Sequence, residues 1–217
     1  MYTCAQCGIY ACRENQPDKM PKNCPMREQE KMETAFQEYL REENRTFYIT
    51  ASELESLGYC QWTRVKETIE FCLRMGYKRV GLAFCWGLRK EAKVVDGLFR
   101  RAGIDMISVI CKTGGIDKSR CGIPEERKLR PGQHESMCNP IAQAELLNGQ
   151  STELNIVLGL CVGHDSMFYK YSKAPVTTLV VKDRVLAHNP IGAVYGAEGY
   201  FQRQFNYERN QKKNDET

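Results

Sequence analysis

No apolar run in this chain approaches the ~20 residues that span a bilayer, and the opening MYTCAQCGIY lacks the charged stretch and apolar region of a secretory signal. The expectation is a cytoplasmic protein with no membrane partner. A basic stripe interleaved with aromatics is also missing. The net charge of +4 comes from 31 Lys and Arg scattered among 27 Asp and Glu, which argues against nucleic acid as a partner. There is no phosphate loop and no GxGxxG, and the glycines of GAVYGAEG (192–199) have the wrong spacing and follow no strand directly. No Ser-His-Asp arrangement is legible, and there is no internal repeat or low-complexity segment. Histidine is scarce, with three in the chain.

Cysteine is abundant: eleven in 217 residues. A cytoplasmic location leaves disulfides unexpected, and the odd count argues further against a paired framework. Metal ligation, redox or nucleophilic chemistry, and packing are the remaining uses. Apolar residues make up 42% of the chain, enough for a full-sized core.

The pattern divides the chain into four parts. Residues 1–27 hold four cysteines and Pro17, Pro21 and Pro25, with no periodicity and so no core of their own; a bound metal would supply one. Residues 28–76 are helical, with expected helices at 28–45, 51–57 and 62–75; Met32, Phe36 and Leu40 line one face of the first. Residues 77–205 alternate. RVGLAFC (79–85), DMISVIC (105–111), NIVLGLC (155–161) and PVTTLVV (175–181) are short apolar runs, expected of strands buried on both faces. Helices are expected at 87–103, from Asn139-Pro140 to about 147, at 164–173 and near 191–205. Alternation of this kind predicts an α/β fold, a Rossmann-like parallel sheet of about four strands with helices on both faces. Residues 206–217 are expected to be a flexible tail.

Two cysteine constellations stand out. In the first, two residues separate Cys4 from Cys7, four separate Cys7 from Cys12, and eleven separate Cys12 from Cys24. CAQC puts two thiolates on one tight turn, and Cys12 and Cys24 can complete four-fold sulfur ligation. CAQCG suits a zinc knuckle, while Pro25 directly after Cys24 suits a ferredoxin-type cluster loop. In the second, Cys85, Cys111 and Cys161 each end an expected strand, and Cys138 sits just before the Asn139-Pro140 helix start. Carboxyl ends of parallel strands lie along one edge, about 4.8 Å apart, where open α/β folds place ligands. Thiols there come within reach of one metal centre.

Around the second set, His164 and Asp165 open a helix and are the candidate catalytic pair, the histidine as proton carrier or ligand. Asp165 also suits a helix N-terminus on its own account. His134 and Lys112 are candidate cofactor-binding residues, Lys112 by offsetting cluster charge. His188 comes after the fourth strand and is within possible reach. Cys72 lies on an apolar helix face and belongs to the core; Cys60 and Cys121 are not expected ligands. Cys161, before a helix N-terminus, could also act as a nucleophile.

The motifs CAQCG, MCNPIAQAELLN, GLCVGHDS and APVTTLVVKDRVLAHNP span the chain. On them the chain resembles a family of uncharacterised, cysteine-rich, metal-binding proteins of anaerobic bacteria and archaea, which implies metal binding and no particular reaction. A more distant, local likeness is to nickel carbon monoxide dehydrogenases and hybrid cluster proteins. Cys4, Cys7, Cys12 and Cys24 are similar to the ligand spacing of a dehydrogenase four-iron cluster. Gly159-Leu160-Cys161-Val162 and Cys138-Asn139 are similar to two segments ligating its active-site cluster, although Gly163-His164 stands here where the dehydrogenases have Asp-Asn. This likeness implies 4Fe-4S iron–sulfur chemistry over zinc. The expectation is an N-terminal cluster that relays electrons and a second, cysteine-held centre that converts a small molecule, with a redox protein or small molecule as partner. A zinc protein and a sulfur-transfer enzyme using Cys161 are the alternatives.

Overall fold

The computed structural model describes residues 1–207; of the expected tail at 206–217, residues from 208 onward lie outside the described residues. The chain divides into two compact units, Met1–Cys60 and Gln61–Thr217.

In the first unit, short 3-10 turns over the cysteine-rich segment lead into α1 (Gln29–Tyr39) and α2 (Glu42–Gly58). The continuous helix expected over 28–45 is broken at Arg41, whose backbone is extended. Nothing in the local composition forces the break. It is closed by the Asn44 side-chain amide, which donates at 2.9 Å to the Glu38 carbonyl, an acceptor it shares with the Arg41 N–H at the end of α1.

The second unit contains α3 (Arg64–Arg74), β1 (Arg79–Phe84), α4 (Arg89–Arg101), β2 (Asp105–Ile110), α5 (Pro140–Gly149), β3 (Leu154–Leu158), α6 (His164–Tyr171), β4 (Val176–Val180) and α7 (Ile191–Tyr195). All strand pairs are parallel, in the order β2-β1-β3-β4. The chain leaves β1 toward β2 and then returns past it to β3, so the direction of winding reverses between β1 and β3. Right-handed crossovers then require α4 on one face and α5 and α6 on the other. The strands show this residue by residue. Val80, Leu82, Ile156 and Leu158 pack with Phe99 of α4 and with Ile69 and Cys72 of α3. Ala83 and Val157, on the opposite face, pack with Ala144 and Leu147 of α5 and Phe168 of α6. The expected fold is therefore the observed one: a four-stranded parallel sheet with helices on both sides.

Several boundaries moved, two of them by about nine or ten residues: α2 starts at Glu42 instead of 51 and α7 ends at Tyr195 instead of 205. The last helix stops at Tyr195 instead of running to 205, because Gly196 and Gly199 lie in a succession of tight turns. The α5 start is as read: Asn139 Oδ1 accepts from the Ala142 N–H at 3.2 Å, and Pro140 fills the first helical position. Asn139→Ala should lower stability by about 1 kcal/mol, measured by denaturant unfolding. An unchanged midpoint would show that this cap contributes nothing.

Candidate metal centre

Main-chain hydrogen bonds carry the sheet's register past the strand ends and place the second cysteine set. The Cys85 N–H donates to the Leu158 carbonyl at 3.1 Å, the Cys111 N–H to Phe84 at 2.9 Å, and the Asn139 N–H to Cys111 at 2.8 Å. Cys85, Cys111 and, through Asn139, Cys138 are thus tied to neighbouring segments by backbone alone. A helix begins beyond three of them, after Cys85, Cys138 and Cys161. The edge between β1 and β3 is where the winding reverses, the position at which open α/β sheets form their crevice.

Cys85, Cys111, Cys138 and Cys161 line one cleft there, together with Gln143, Leu160 and His164. Cys85 and Cys111 are buried, Cys138 and Cys161 half-buried. Cys111 lies between Cys85 and Cys138 and is hydrogen-bonded to both. Its own sulfur accepts the Trp86 N–H at 3.3 Å. The Cys111 S–H is the main cause that lowers both neighbours to about 5, and it holds Cys111 itself well above the usual thiol range. Nearby cations act in the same sense. Lys182 and the Gly87 N–H favour the thiolate of Cys85, while Lys112 and His164 favour that of Cys138. Lys112 Nζ lies 3.5 Å from Cys138 Sγ and 2.6 Å from the Ser136 carbonyl. An Arg184 guanidinium nitrogen donates to Cys161 Sγ at 3.1 Å. Thiols held toward their charged form beside lysine and arginine side chains are in a setting in which sulfur is ready to ligate or attack.

Two buried polar atoms on this cleft have no partner: His164 Nδ1 and Gln143 Oε1. An unpaired buried polar atom costs about 1–3 kcal/mol, so each calls for an explanation.

Other expected site residues sit elsewhere. The Asp165 carboxylate accepts from the Ser166 N–H at 2.7 Å, within its own helix. His134 belongs to the 112–137 loop, with Nδ1 3.3 Å from Asp117 and Nε2 3.0 Å from Ser136 Oγ. His188 Nδ1 accepts from the Asp183 N–H at 3.1 Å. Cys72 is fully buried, and burial pushes its thiol up to about 12. Cys121 is exposed, beside Met137. Gln143, Lys182 and Arg184 were not singled out by the sequence. The only hint was the basic pair of VKDR just past the fourth strand; Gln143 looked like any helix-forming residue.

The loop that carries Lys112 and Cys138 is fastened by charge. Lys128, with its side chain 3% exposed, reaches Asp117 at 2.8 Å and Glu125 at 2.5 Å, and Lys118 pairs with Glu135. Lys128 and then the Ser119 N–H hold the Asp117 carboxyl far below its usual range. A depressed carboxylate pKa adds stability that is complete above the unfolded value and is lost as pH falls. Protection factors of the amides across 112–137, corrected for the intrinsic exchange rate at each pH, should therefore fall below about pH 4, before the strands lose protection. Simultaneous loss in loop and sheet would contradict this local role.

In the first unit, Cys4, Cys7, Cys12 and Cys24 line a second cavity, of about 270 Å³, with Thr3, Tyr10 and Pro25 among its walls. A 3-10 turn over Cys4–Gln6 links the first pair. The Tyr10 N–H donates to Cys7 Sγ at 3.5 Å and lowers that thiol's pKa. Arg27 closes the segment by donating to the Met20 and Pro21 carbonyls at 2.8 and 2.9 Å.

Among the described residues, no group of three or more His, Cys, Asp or Glu side chains is arranged to hold a single metal ion. No helix there is long and apolar enough to cross a membrane. The profile of the DUF1847 family, described as proteins of unknown function, matches residues 24–179. The uncharacterized protein MJ0455 of the archaeon Methanocaldococcus jannaschii is 44% identical over 192 residues, covering 88% of this chain and 93% of that protein. These matches agree with the likeness to an uncharacterised family with archaeal members. They carry no likeness to carbon monoxide dehydrogenases or hybrid cluster proteins.

Proposed function

We propose, for a chain that belongs to the DUF1847 family of proteins of unknown function, that it is an iron–sulfur redox protein. Cys85, Cys111, Cys138 and Cys161 hold a polynuclear centre at the sheet edge. Cys4, Cys7, Cys12 and Cys24 hold a second cluster, and His164 handles a proton or ligates at the sheet-edge centre, where a small molecule is converted. The observation that carries this reading is the meeting in one cleft of four thiols from four separate chain segments with two unpaired buried polar atoms, Gln143 Oε1 and His164 Nδ1. Packing alone would not gather sulfur in this way, and buried acceptors facing thiolates repel one another unless a cation or donor lies between them.

Zinc and a cluster ask different things of the sulfurs. A lone tetrahedral ion needs all four sulfurs about 2.3 Å from one point, whereas a cluster spreads its ligands over several iron atoms. Lys112, Lys182 and Arg184 would offset the charge of a thiolate-held cluster. In the N-terminal set, the Tyr10 N–H on Cys7 supports a thiolate ready for metal.

A second reading has its own observation. The contact of Cys111 with two thiolate-leaning neighbours also suits thiol chemistry, with Cys85 or Cys138 as the attacking group. Purification without oxygen, then iron, zinc and sulfide analysis, separates the two. Brown protein with iron and acid-labile sulfide supports the cluster; colourless protein with zinc, or with no metal, overturns it.

A further inference from the structure

We propose, resting on the reading of the N-terminal cysteines as an electron relay, that the α1–α2 hairpin is the docking face for a redox protein. The contact surface of that partner is apolar at its centre and rimmed by lysine or arginine.

No residue of α1 is buried. Met32, Phe36, Tyr39 and Leu40 are about half exposed, and at helical spacing they form one stripe, with Glu33 and Glu38 on its two borders. On α2, Tyr48 and Ile49 are exposed as well. Tyr39 meets Tyr48 edge to face, ring centres 5.1 Å apart, in the groove between the helices. An 11-residue helix is marginal in water unless its apolar face is covered. An exposed apolar patch rimmed by polar residues marks an interaction surface.

Charge decides what covers it. Residues 28–58 hold eight Glu against Lys31, Arg41 and Arg45, net −5, within a chain of net +4. Two of those cations are already paired, Lys31 with Glu28 and Arg41 with Glu38, each at 2.9 Å. The remaining charge repels nucleic acid and anionic lipid, and the hairpin of a second copy carries the same sign. A basic protein is attracted. Opposite charges around a small apolar centre speed encounter and leave the complex short-lived, as electron-transfer pairs require. The position of the hairpin fits that role. Cys24 leads through the turn Pro25–Arg27 straight into α1, and Arg27 ties the turn back to the Met20 and Pro21 carbonyls. The cysteine set and the hairpin belong to the same compact unit. One electron passes from the reduced cluster to the oxidised centre of the partner, and no bond or proton moves.

The test uses the full protein, purified without oxygen, reduced with dithionite and freed of excess. The probe is ferric cytochrome c, a basic protein with lysines around its haem edge. The same protein with succinylated lysines is the acidic comparison. Stopped-flow absorbance follows ferric haem becoming ferrous as the cluster is oxidised. At low salt the native probe should be reduced about tenfold faster than the succinylated one, and the gap should close above about 0.15 M salt. Glu30→Lys with Glu33→Lys should slow the native probe about tenfold. Glu145→Lys, at an exposed carboxylate of the second unit, should stay within about twofold of wild type. Equal slowing by Glu145→Lys, or no slowing by the hairpin variant, overturns the docking face. Should that variant misfold, carbodiimide cross-linking of the wild type to the native probe decides. Its lysines should join Glu30, Glu33 or Glu43, and cross-links confined to the second unit overturn the assignment. Sedimentation of the protein alone checks for the other occupant. A dimer abolished by the hairpin variant makes a second copy the partner and overturns the proposal. Iron analysis of the same samples keeps the readings apart. Full iron with no hairpin effect sinks the docking face alone; absence of iron sinks the relay and this proposal with it.

Discussion

Cys111→Ser protein purified without oxygen is expected to carry about half the metal of the wild type, keeping the N-terminal set's share and losing the strand-end share. Cys111 is the middle member of the strand-end set, in contact with both Cys85 and Cys138. Serine keeps the volume nearly constant but replaces a thiol that can deprotonate with a hydroxyl that does not. Cys121→Ser is the control, because that thiol is exposed and does not line the cleft; its metal content should match wild type. The substitution leaves a hydroxyl buried between sulfurs, at about 1–3 kcal/mol, so thermal unfolding is measured alongside. A folded Cys111→Ser protein with undiminished metal would sink the strand-end centre.

Gly81→Ala should be the most damaging single-methyl change outside the site, lowering stability by about 3 kcal/mol or more and the melting temperature by roughly 10 °C. Gly81 lies mid-strand in β1, opposite Asn155 of β3. A Cβ there would stand 2.0 Å from Asn155 Oδ1 and 2.9 Å from a Leu147 methyl. Asn155 cannot easily yield. It is fully buried, its Oδ1 accepts from Thr152 at 2.8 Å, and its Nδ2 donates to Ser172 at 2.8 Å. Moving it breaks a satisfied buried network as well as the packing under α5. Gly149→Ala is the comparison, with nothing within 4 Å of the added carbon, and should fall within about 0.5 kcal/mol of wild type. Similar melting temperatures for the two variants would show that β1 and β3 can spread at little cost.

The sequence by itself determined the alternation of elements and the cysteines at their ends. Four apolar runs too short for helices, separated by helical periodicity, admit only a parallel α/β sheet, and a residue that closes such a run sits at the carboxyl edge wherever the strand lies in the sheet. Cys85, Cys111 and Cys161 were legible for that reason, as was the Asn139-Pro140 start beside Cys138. The break at Arg41 was not, since its closing bond comes from Asn44 in the next helix. Only the tertiary structure decided the strand order β2-β1-β3-β4, which sets Cys85 between the segments of Cys111 and Cys161. It alone turned Gln143 onto the carbonyls of Phe84 and Val109 and brought Arg184 to Cys161. It also kept Asp165 within its own helix and His134 within the Asp117 ion pairs. Periodicity records which face of an element is buried, a local property. Which neighbour fills that burial is settled by residues far apart in the chain, and a single sequence carries no mark of them.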